Sequence, residues 1–318
     1  MKLDRLARYA WGVLALNLGV ILWGAYVRAT GSGAGCGSHW PLCNGDVVPR
    51  GAAAETLIEF THRATSGLAL IAVIGLFLWV RRAHPSGSQV RTGAALSLVF
   101  IVVEALLGAG LVLFELVAEN DSSIRAFSMI AHLVNTFILV AVLSLTAWWA
   151  SGGAPIRLRG RPAHLPLIAA ALLGLIFVGA TGAIAALGDT LFPSPSLEQG
   201  LRDSFSSESH PLIQLRKYHP LAAILVGLLT VLLARHLARV VASDAVRALA
   251  AAVISLYVVQ IAAGTVNIVL LAPLSLQLLH LLLAELVWIA MVLLSAATLG
   301  ATPVRRVDSA ATRFVVRS

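Results

Sequence analysis

Charged residues are scarce in this chain: Asp, Glu, Lys and Arg make up 12% of its 318 residues, while hydrophobic residues make up 58%. An ordinary soluble domain carries about 25% charged residues. A single core could not bury this much apolar surface, so the composition excludes a soluble globular protein. It predicts a polytopic membrane protein.

A convincing cleavage site of the A-x-A type is also lacking. The first hydrophobic stretch is as long as the others and continues into Arg28 and a glycine-rich loop, so we expect it to be retained as a helix. Eight stretches are long enough to cross about 30 Å of hydrocarbon. They run approximately over 10–28, 62–80, 94–114, 126–149, 165–187, 218–234, 248–271 and 276–299. The predicted fold class is an all-α integral membrane protein with eight transmembrane helices.

Basic residues are concentrated in alternate connections. The N-terminus, the C-terminal tail and the connections after helices 2, 4 and 6 hold 16 of the 23 Lys and Arg residues, but three of the 15 acids. By the positive-inside rule these segments are cytoplasmic, and the loops at about 29–61, 115–125, 188–217 and 272–275 face outward. We therefore expect a multi-pass protein of the cell membrane with both termini cytoplasmic and no nucleic-acid partner. The basic residues are Lys2, Arg5, Arg8, Arg81, Arg82, Arg91, Arg157, Arg159, Arg161, Arg235, Arg239, Arg247, Arg305, Arg306, Arg313 and Arg317.

One histidine lies near the start of each even-numbered stretch. These helices enter from outside, so the histidines lie within about two turns of the outer surface at 1.5 Å per residue. Imidazole is costly in a membrane, and four at similar depth indicate one shared chemistry inside the bundle. Paired histidines on facing helices are a common way to hold haem iron. We predict haem ligation, although any one histidine could instead be a hydrogen-bonded packing residue. The four are His62, His132, His219 and His280.

The second half of the chain repeats the first at offsets of 148 to 157 residues. Each unit contains an even number of helices, so the repeats are parallel, related by an axis along the membrane normal. We predict two tandem pseudo-symmetric four-helix bundles, residues 1–150 and 151–318, each with one histidine pair. The matches are Ala29–Gly31 with Ala180–Gly182, His62 with His219, Glu104–Gly108 with Gln260–Gly264, and His132 with His280.

The two halves differ in their outward loops. The first half has Glu59 three residues before His62, on the same helix face if the helix begins early enough. A carboxyl there could move protons at a haem edge, or it could simply complement the helix dipole. The second half has bases in place of the acid. Arg216 and Lys217 suit haem propionates, as would Arg63, Arg28 or Arg125, and each could equally be a snorkelling interfacial anchor.

Other polar or small residues inside the membrane have less specific interpretations. Glu104 and Glu285 are intramembrane acids, which are functional by default, but Glu104 stands where the other repeat has Gln260, so a neutral hydrogen-bonded role is equally open. Gly108–Gly110 and Gly179–Gly182 are expected to permit close helix packing.

Cys36 and Cys43 are the only cysteines, and both lie in the first outward loop. An oxidising compartment favours a disulfide there, which could cap the site or exchange with a thiol donor. Covalent haem attachment would need a Cys-x-x-Cys-His motif, which is absent. A zinc site that uses His39 lacks an evident fourth ligand.

Together these motifs resemble haem A synthases, the enzymes that complete the haem of cytochrome aa3-type oxidases. The resemblance is carried by Gly31-Ser-Gly-Ala-Gly-Cys36-Gly-Ser-His-Trp-Pro-Leu-Cys43, by Glu59-Phe-Thr-His62-Arg63 and by the three later histidines. It covers residues of about 10 to 300. The family more often has Gln where this chain has Glu104.

The resemblance implies an oxidoreductase that converts the C8 methyl of haem O, by successive hydroxylations, to the formyl group of haem A. The farnesyl tail of haem O suggests either lateral entry from the membrane lipid or handover from haem O synthase, and oxidase assembly factors are further expected partners. A homo-oligomer is left open. The residue roles that follow are His62, His132 and Arg63 for the substrate haem, His219, His280, Arg216 and Lys217 for a haem b cofactor, Glu59 as catalytic carboxylate, and Cys36 with Cys43 as a disulfide.

Two other classes use the same ligands. A di-haem b-type electron carrier would hold both haems tightly and unchanged, and would need neither Glu59 nor the cysteine loop. A haem chaperone or transporter predicts one labile haem and no oxidised product. The acid and the cysteine loop favour the enzyme over both.

Overall fold

The computed structural model describes residues 4–50, 52–158 and 164–301. Within them the chain forms ten α-helices. Eight segments are long and apolar enough to span a membrane, with α7 and α8 together forming one span, so the predicted fold class is confirmed. The helices are α1 (Arg5–Ala29), α2 (Ala54–Ala83), α3 (Gln89–Leu113), α4 (Ser123–Ala150), α5 (Leu165–Leu191), α6 (Leu197–Phe205), α7 (Pro211–Arg216), α8 (Tyr218–Val240), α9 (Asp244–Val269) and α10 (Leu274–Gly300).

Several helices begin where a short polar side chain caps them. Asp4 accepts a hydrogen bond from the Ala7 amide at the start of α1, and Ser122 accepts one from the Arg125 amide at the start of α4. Such caps satisfy amides that have no partner inside the helix. The helices therefore extend beyond the apolar stretches seen in the sequence: α2 begins at Ala54, eight residues before the predicted start at 62.

The connection predicted over 188–217 contains two helices, α6 and α7, that hydropathy did not predict. The reason is composition, because α6 is amphipathic and exposes Glu198 and Arg202 on one face. A cap at Ser196, whose hydroxyl accepts from the Gln199 amide at 3.2 Å, marks its start.

Helices α4 and α10 are the most deeply buried spans and pack against each other. Phe137 and Trp288 stack between them with ring centroids 5.1 Å apart, and the Trp288 indole donates to the Phe137 carbonyl at 2.7 Å. Helices α1 and α5 also contact the central pair. The outer faces carry exposed apolar side chains such as Leu173 and Phe177, as expected for surfaces that face lipid.

Some predictions concern residues outside those that the structure describes: Lys2, Arg159, Arg161, Arg305, Arg306, Arg313 and Arg317. The orientation in the membrane and the division between residues 150 and 151 stay predictions. Among the described residues, helices α1 to α4 contain four membrane spans and helices α5 to α10 contain another four, as the repeat requires.

Candidate functional site

The four histidines lie at similar depths within the helices that carry them. Each is six to nine residues from the first residue of its span, close to the two turns that the sequence predicts. All four side chains are half-buried. His62 is on α2, His132 on α4, His219 on α8 and His280 on α10.

Each histidine ring packs against a glycine on the preceding spanning helix. A Cβ placed on that glycine would lie 2.8 to 3.5 Å from the nearest ring atom, and at three of the four sites it would clash. The absent side chain therefore makes room for the imidazole between two helices. The pairs are Gly24 with His62, Gly108 with His132, Gly182 with His219, and Gly264 with His280.

The positions of these glycines show that one pair of segments matched between the two halves was aligned incorrectly. Gly182 lies under His219 as Gly24 lies under His62, so Gly24 is its counterpart, 158 positions earlier. The pairing of Ala29–Gly31 with Ala180–Gly182 was wrong. Gly31 follows the end of α1 with φ of +69°, whereas Gly182 is inside α5, so the shared letters occupy different conformations. The close-packing prediction holds for Gly179, which abuts Phe137, but Gly108 and Gly182 accommodate imidazole rings instead.

The second histidine pair has a geometry that suits a metal ion. The ring centroids of His219 and His280 are 6.2 Å apart, with the ring planes at 89°. Imidazole nitrogens bind metal ions at about 2 Å. Two such bonds, plus the distance from each ring centre to its nitrogen, account for the separation. Two protein ligands leave the remaining positions to a macrocycle, so the pair fits a haem.

The polar neighbours of these two rings differ. The Thr181 hydroxyl lies 3.2 Å from Nδ1 of His219. The Gln260 amide nitrogen lies 3.3 Å from Nε2 of His280, whose Nδ1 is buried without a hydrogen-bond partner.

In the first half, Glu104 holds His132. Its Oε1 lies 3.0 Å from Nδ1 of His132 and also accepts from the Thr136 hydroxyl, while Oε2 accepts from the Asn135 amide. This contact leaves Nε2 of His132 available to a metal ion, and carboxylates commonly orient metal-binding histidines in this way. The role of Glu104 that the sequence left open is therefore to orient His132. Nδ1 of His62 is buried without a partner, and the two imidazoles are close enough for their charges to interact.

Glu59 is buried, with 3% of its surface exposed, beneath the loop that connects α1 to α2. Its Oε2 accepts from the Cys36 amide at 2.8 Å, and its Oε1 accepts from Nε of Arg63 at 3.1 Å. Arg63 also donates to the carbonyls of His39 and Leu42, at 2.6 and 2.7 Å. The carboxylate is thus not a free helix-terminal acid, because the loop and Arg63 fix both of its oxygens.

The cysteine loop is closed by a disulfide between Cys36 and Cys43, both fully buried. The Thr56 hydroxyl, on α2, donates to the Gly35 carbonyl at 2.7 Å and ties the loop to the helix that carries Glu59 and His62. The predicted disulfide is therefore present, and it lies directly above the acid.

Arg216 and Lys217 have partners within the chain. Arg216 donates to Asp189 and to Ser204, both at 2.9 Å, and so joins α5, α6 and α7. The Lys217 ammonium lies 5.1 Å from the centre of the Phe205 ring. Their assignment to haem propionates stays a prediction.

Two features were missed or left open at the level of sequence. The four glycines were missed as a set, although their repeat-related spacing relative to the histidines was available as a signal. Glu285 is 1% exposed and its Oε2 has no hydrogen-bond partner, so it is a buried acid on α10, the helix that packs against α4.

The fold and these sites define a class of protein: a polytopic membrane bundle built from a repeated four-span unit, with one histidine pair in each unit. Within that class, the chain belongs to the cytochrome oxidase assembly protein family (COX15-CtaA), whose model matches residues 7–292.

Individual relatives fall into two groups. A Thermus thermophilus protein named protoheme IX farnesyltransferase is 53% identical over 296 residues, which are 93% of this chain and 49% of that protein. The chain thus spans about half the length of this relative. Proteins named heme A synthase are similar over shorter stretches. In Halalkalibacterium halodurans the identity is 34% over 178 residues, 54% of this chain and 58% of that protein. In Alkalihalophilus pseudofirmus the identity is 39% over 124 residues, which are 37% of this chain and 41% of that protein.

Proposed function

We propose that the chain is an oxidoreductase that converts haem O to haem A, by successive hydroxylation of the C8 methyl to a formyl group. One observation carries the proposal: two repeat-related histidine pairs share a design, but only the first has a buried carboxylate fixed beside it by a disulfide loop. A carrier of two equivalent haems has no use for that difference. The similarity to proteins named heme A synthase supports the same conclusion.

In this proposal the first half binds the substrate. His62 and His132 ligate the iron of haem O, and Glu104 keeps His132 in the orientation that presents Nε2. Glu59 holds or accepts a proton beside the substrate, since Arg63 and the Cys36 amide fix its two oxygens. Preorganised charge of this kind is effective because it needs no rearrangement during reaction.

The second half binds a haem b cofactor between His219 and His280. A haem there would supply electron transfer to or from the first site. The chain's own contribution is to hold the two imidazoles at the spacing described above, with Gly182 and Gly264 making room for them.

A farnesyltransferase is the partner that we propose for substrate supply. The Thermus relative bears the name protoheme IX farnesyltransferase, and this chain matches about half of it. We infer that a farnesyltransferase delivers the farnesylated haem to the first site through the membrane. Cytochrome oxidase assembly factors would receive the product.

The test is extraction and mass analysis of haems from the purified full-length protein, produced in cells that also make haem O. We expect haem A, or its hydroxylated intermediate, together with haem b. Glu59→Ala should abolish the oxidised products and leave haem bound, while Glu55→Ala, an exposed acid one turn earlier on α2, should leave them unchanged.

Two outcomes would contradict the proposal. Haem b alone, held by both histidine pairs although haem O is available, would identify an electron-transfer cytochrome. One labile haem without oxidised product would identify a haem-handling protein. Haem A formation in the Glu59→Ala variant would remove the assignment of the carboxylate while keeping the enzyme.

A further inference from the structure

We propose that Arg28, which belongs to the first half of the chain, is the carboxylate anchor of the haem site in the second half. This inference rests on the proposed function, because it takes the pair of His219 and His280 as a haem site. It makes that site incomplete without a residue from the other repeat.

Arg28 lies between the two helices that flank the second histidine pair. Its guanidinium leaves α1 and donates to the Ala186 carbonyl on α5 at 2.8 Å and to the Gln277 side chain on α10 at 2.9 Å, with a third bond to the Thr190 hydroxyl. Ala186 lies one turn after the glycine that accommodates His219, and Gln277 lies three residues before His280. Arg28 is therefore attached to both helices that frame the second site, on the side of the histidines predicted to face outward.

The positive charge of Arg28 is not matched by a directly bound carboxylate. All three acceptors are neutral, and among the described residues no carboxylate oxygen lies within 4.0 Å of this guanidinium. The charged groups that act on it are Arg125 and Asp189. Asp189 is already paired with Arg216 at 2.9 Å, so it is shared between two cations.

Arg125 adds to this excess of positive charge. It is 4% exposed at the start of α4 and donates to the carbonyls of Ala118 and Asn120, while its Nε is buried without a hydrogen-bond partner. The acid that acts on Arg125 is the exposed Glu119, which forms no ion pair with it within 4.0 Å. A buried cation without a directly paired counter-ion is strongly disfavoured at membrane depth. The cluster contains three arginines, Arg28, Arg125 and Arg216, against two acids, Asp189 and Glu119. It therefore suits an anionic ligand, and a haem brings two carboxylates to the edge of a histidine-ligated macrocycle.

The planar guanidinium is the right donor for this purpose. Arginine binds carboxylates through two parallel N–H groups, and a forked donor held by three protein acceptors is already oriented before the ligand arrives. The three acceptors fix the side chain without neutralising it, which distinguishes Arg28 from Arg63 and Arg216, whose charges are matched by Glu59 and Asp189.

The test compares haem b with its dimethyl ester, in which both carboxylates are blocked. Each probe is titrated into the full chain in phosphatidylcholine nanodiscs, with His62→Ala present throughout so that one histidine pair is measured. Arg28→Gln should weaken haem b binding about tenfold to hundredfold, the loss expected for a hydrogen bond to a charged group. Arg28→Lys should fall between. The ester should bind the unchanged and the Arg28→Gln chains equally, which also shows that the site is folded.

Arg202→Gln is the matched control, since it removes an exposed arginine from α6 in the same predicted outward region, and should leave both probes unaffected. Equal weakening of haem b and ester by Arg28→Gln, or no weakening of haem b, would overturn the inference. The inference would also be overturned if Arg28→Gln weakened both probes equally and only in nanodiscs that contain phosphatidylglycerol, because Arg28 would then bind a lipid headgroup.

His280→Ala separates this inference from the proposed function. If that variant still binds haem b with unchanged affinity, the second pair is not a haem site and both proposals fail. If it abolishes binding while Arg28→Gln does not, the inference about Arg28 alone fails.

Discussion

At the scale of single residues, the two histidine pairs are built alike and tuned differently. Every imidazole stands over a glycine, but His132 contacts a carboxylate, Glu104, where its counterpart His280 contacts an amide, Gln260. A carboxylate that accepts from Nδ1 makes the opposite imidazole nitrogen more electron-rich, whereas the Gln260 amide nitrogen only donates, and it faces Nε2 of His280. The duplication therefore places the four histidines alike, while a carboxylate in one half and an amide in the other give His132 and His280 different electrostatic surroundings.

The glycines give the first prediction. Gly24→Ala should displace His62, because the new Cβ would lie 2.9 Å from its Cε1, and overpacking costs about 1–3 kcal/mol. Haem at the first site should bind about tenfold more weakly while the second site is unchanged, as measured by haem content and the low-spin absorption of each site. Gly264→Ala should show the reverse pattern. Gly19→Ala, where a Cβ meets open space, is the control, and equal losses at both sites would count against a local effect.

Glu104 gives the second prediction. Glu104→Gln copies the second half, keeps a hydrogen-bond acceptor beside His132 and removes its charge. The midpoint potential of haem at the first site should rise, since a less electron-rich ligand stabilises ferric iron less. Glu104→Ala should lower haem affinity about tenfold to hundredfold. Redox titration and haem content measure the two effects, and Gln260→Ala, which should alter only the second site, is the control.

At the scale of elements, hydropathy predicted the eight spans because each needs about 20 apolar residues whatever its neighbours are. It did not predict α6, whose stability comes from an amphipathic face and a serine cap rather than from apolar length. It also placed the start of α2 at 62, which hid the fact that Glu59 is already helical.

The histidines and Glu59 could be selected from the sequence because polar groups are costly in a membrane and their spacing repeats. Their contacts could not. The contacts of Glu59 with Arg63 and the Cys36 amide depend on how the loop of residues 30–50 folds back over α2, and no sequence periodicity reports this. The correct repeat register likewise emerged only when Gly24 was seen against His62.

The cysteine loop gives the third prediction. Cys36→Ser combined with Cys43→Ser should loosen the loop and release the amide that donates to Glu59. Haem A formation should fall at least tenfold while haem content stays close to that of the unchanged chain, measured by extraction and mass analysis. Val48→Ala, an exposed position in the same loop, should have no effect. Loss of haem in parallel with loss of product would instead give the disulfide a purely structural role.

At the scale of the whole molecule, the distribution of basic residues predicts an orientation. Ser86→Cys lies in the exposed connection after α2, and Ser207→Cys lies in the exposed connection after α6. A membrane-impermeant maleimide should label Ser207→Cys in intact cells and Ser86→Cys only after permeabilisation. The native cysteines are buried in a disulfide and provide the unlabelled background. The opposite pattern would invert the topology and place the haem sites at the cytoplasmic face.

The junction between α4 and α10 gives the last prediction, because it decides whether the two halves are stable separately. Trp288 stacks on Phe137 and donates to its carbonyl, so one side chain both packs and hydrogen-bonds across the junction. Trp288→Ala should destabilise the protein by about 3–5 kcal/mol, the usual cost of truncating a buried aromatic residue, and Trp288→Phe should restore part of that loss. Phe177→Ala, on the exposed face of α5, is the control.

If the halves are interdependent, thermal unfolding of the Trp288→Ala variant should release both haems in a single transition at a lower temperature, since α4 and α10 each carry one ligand of a different site. Low-spin absorption recorded against temperature distinguishes the sites. Two separated transitions, with only one shifted, would show that the stacked pair does not couple the release of the two haems. Arg28 would still connect the two halves, because its guanidinium reaches α5 and α10 from α1 without the stacked pair.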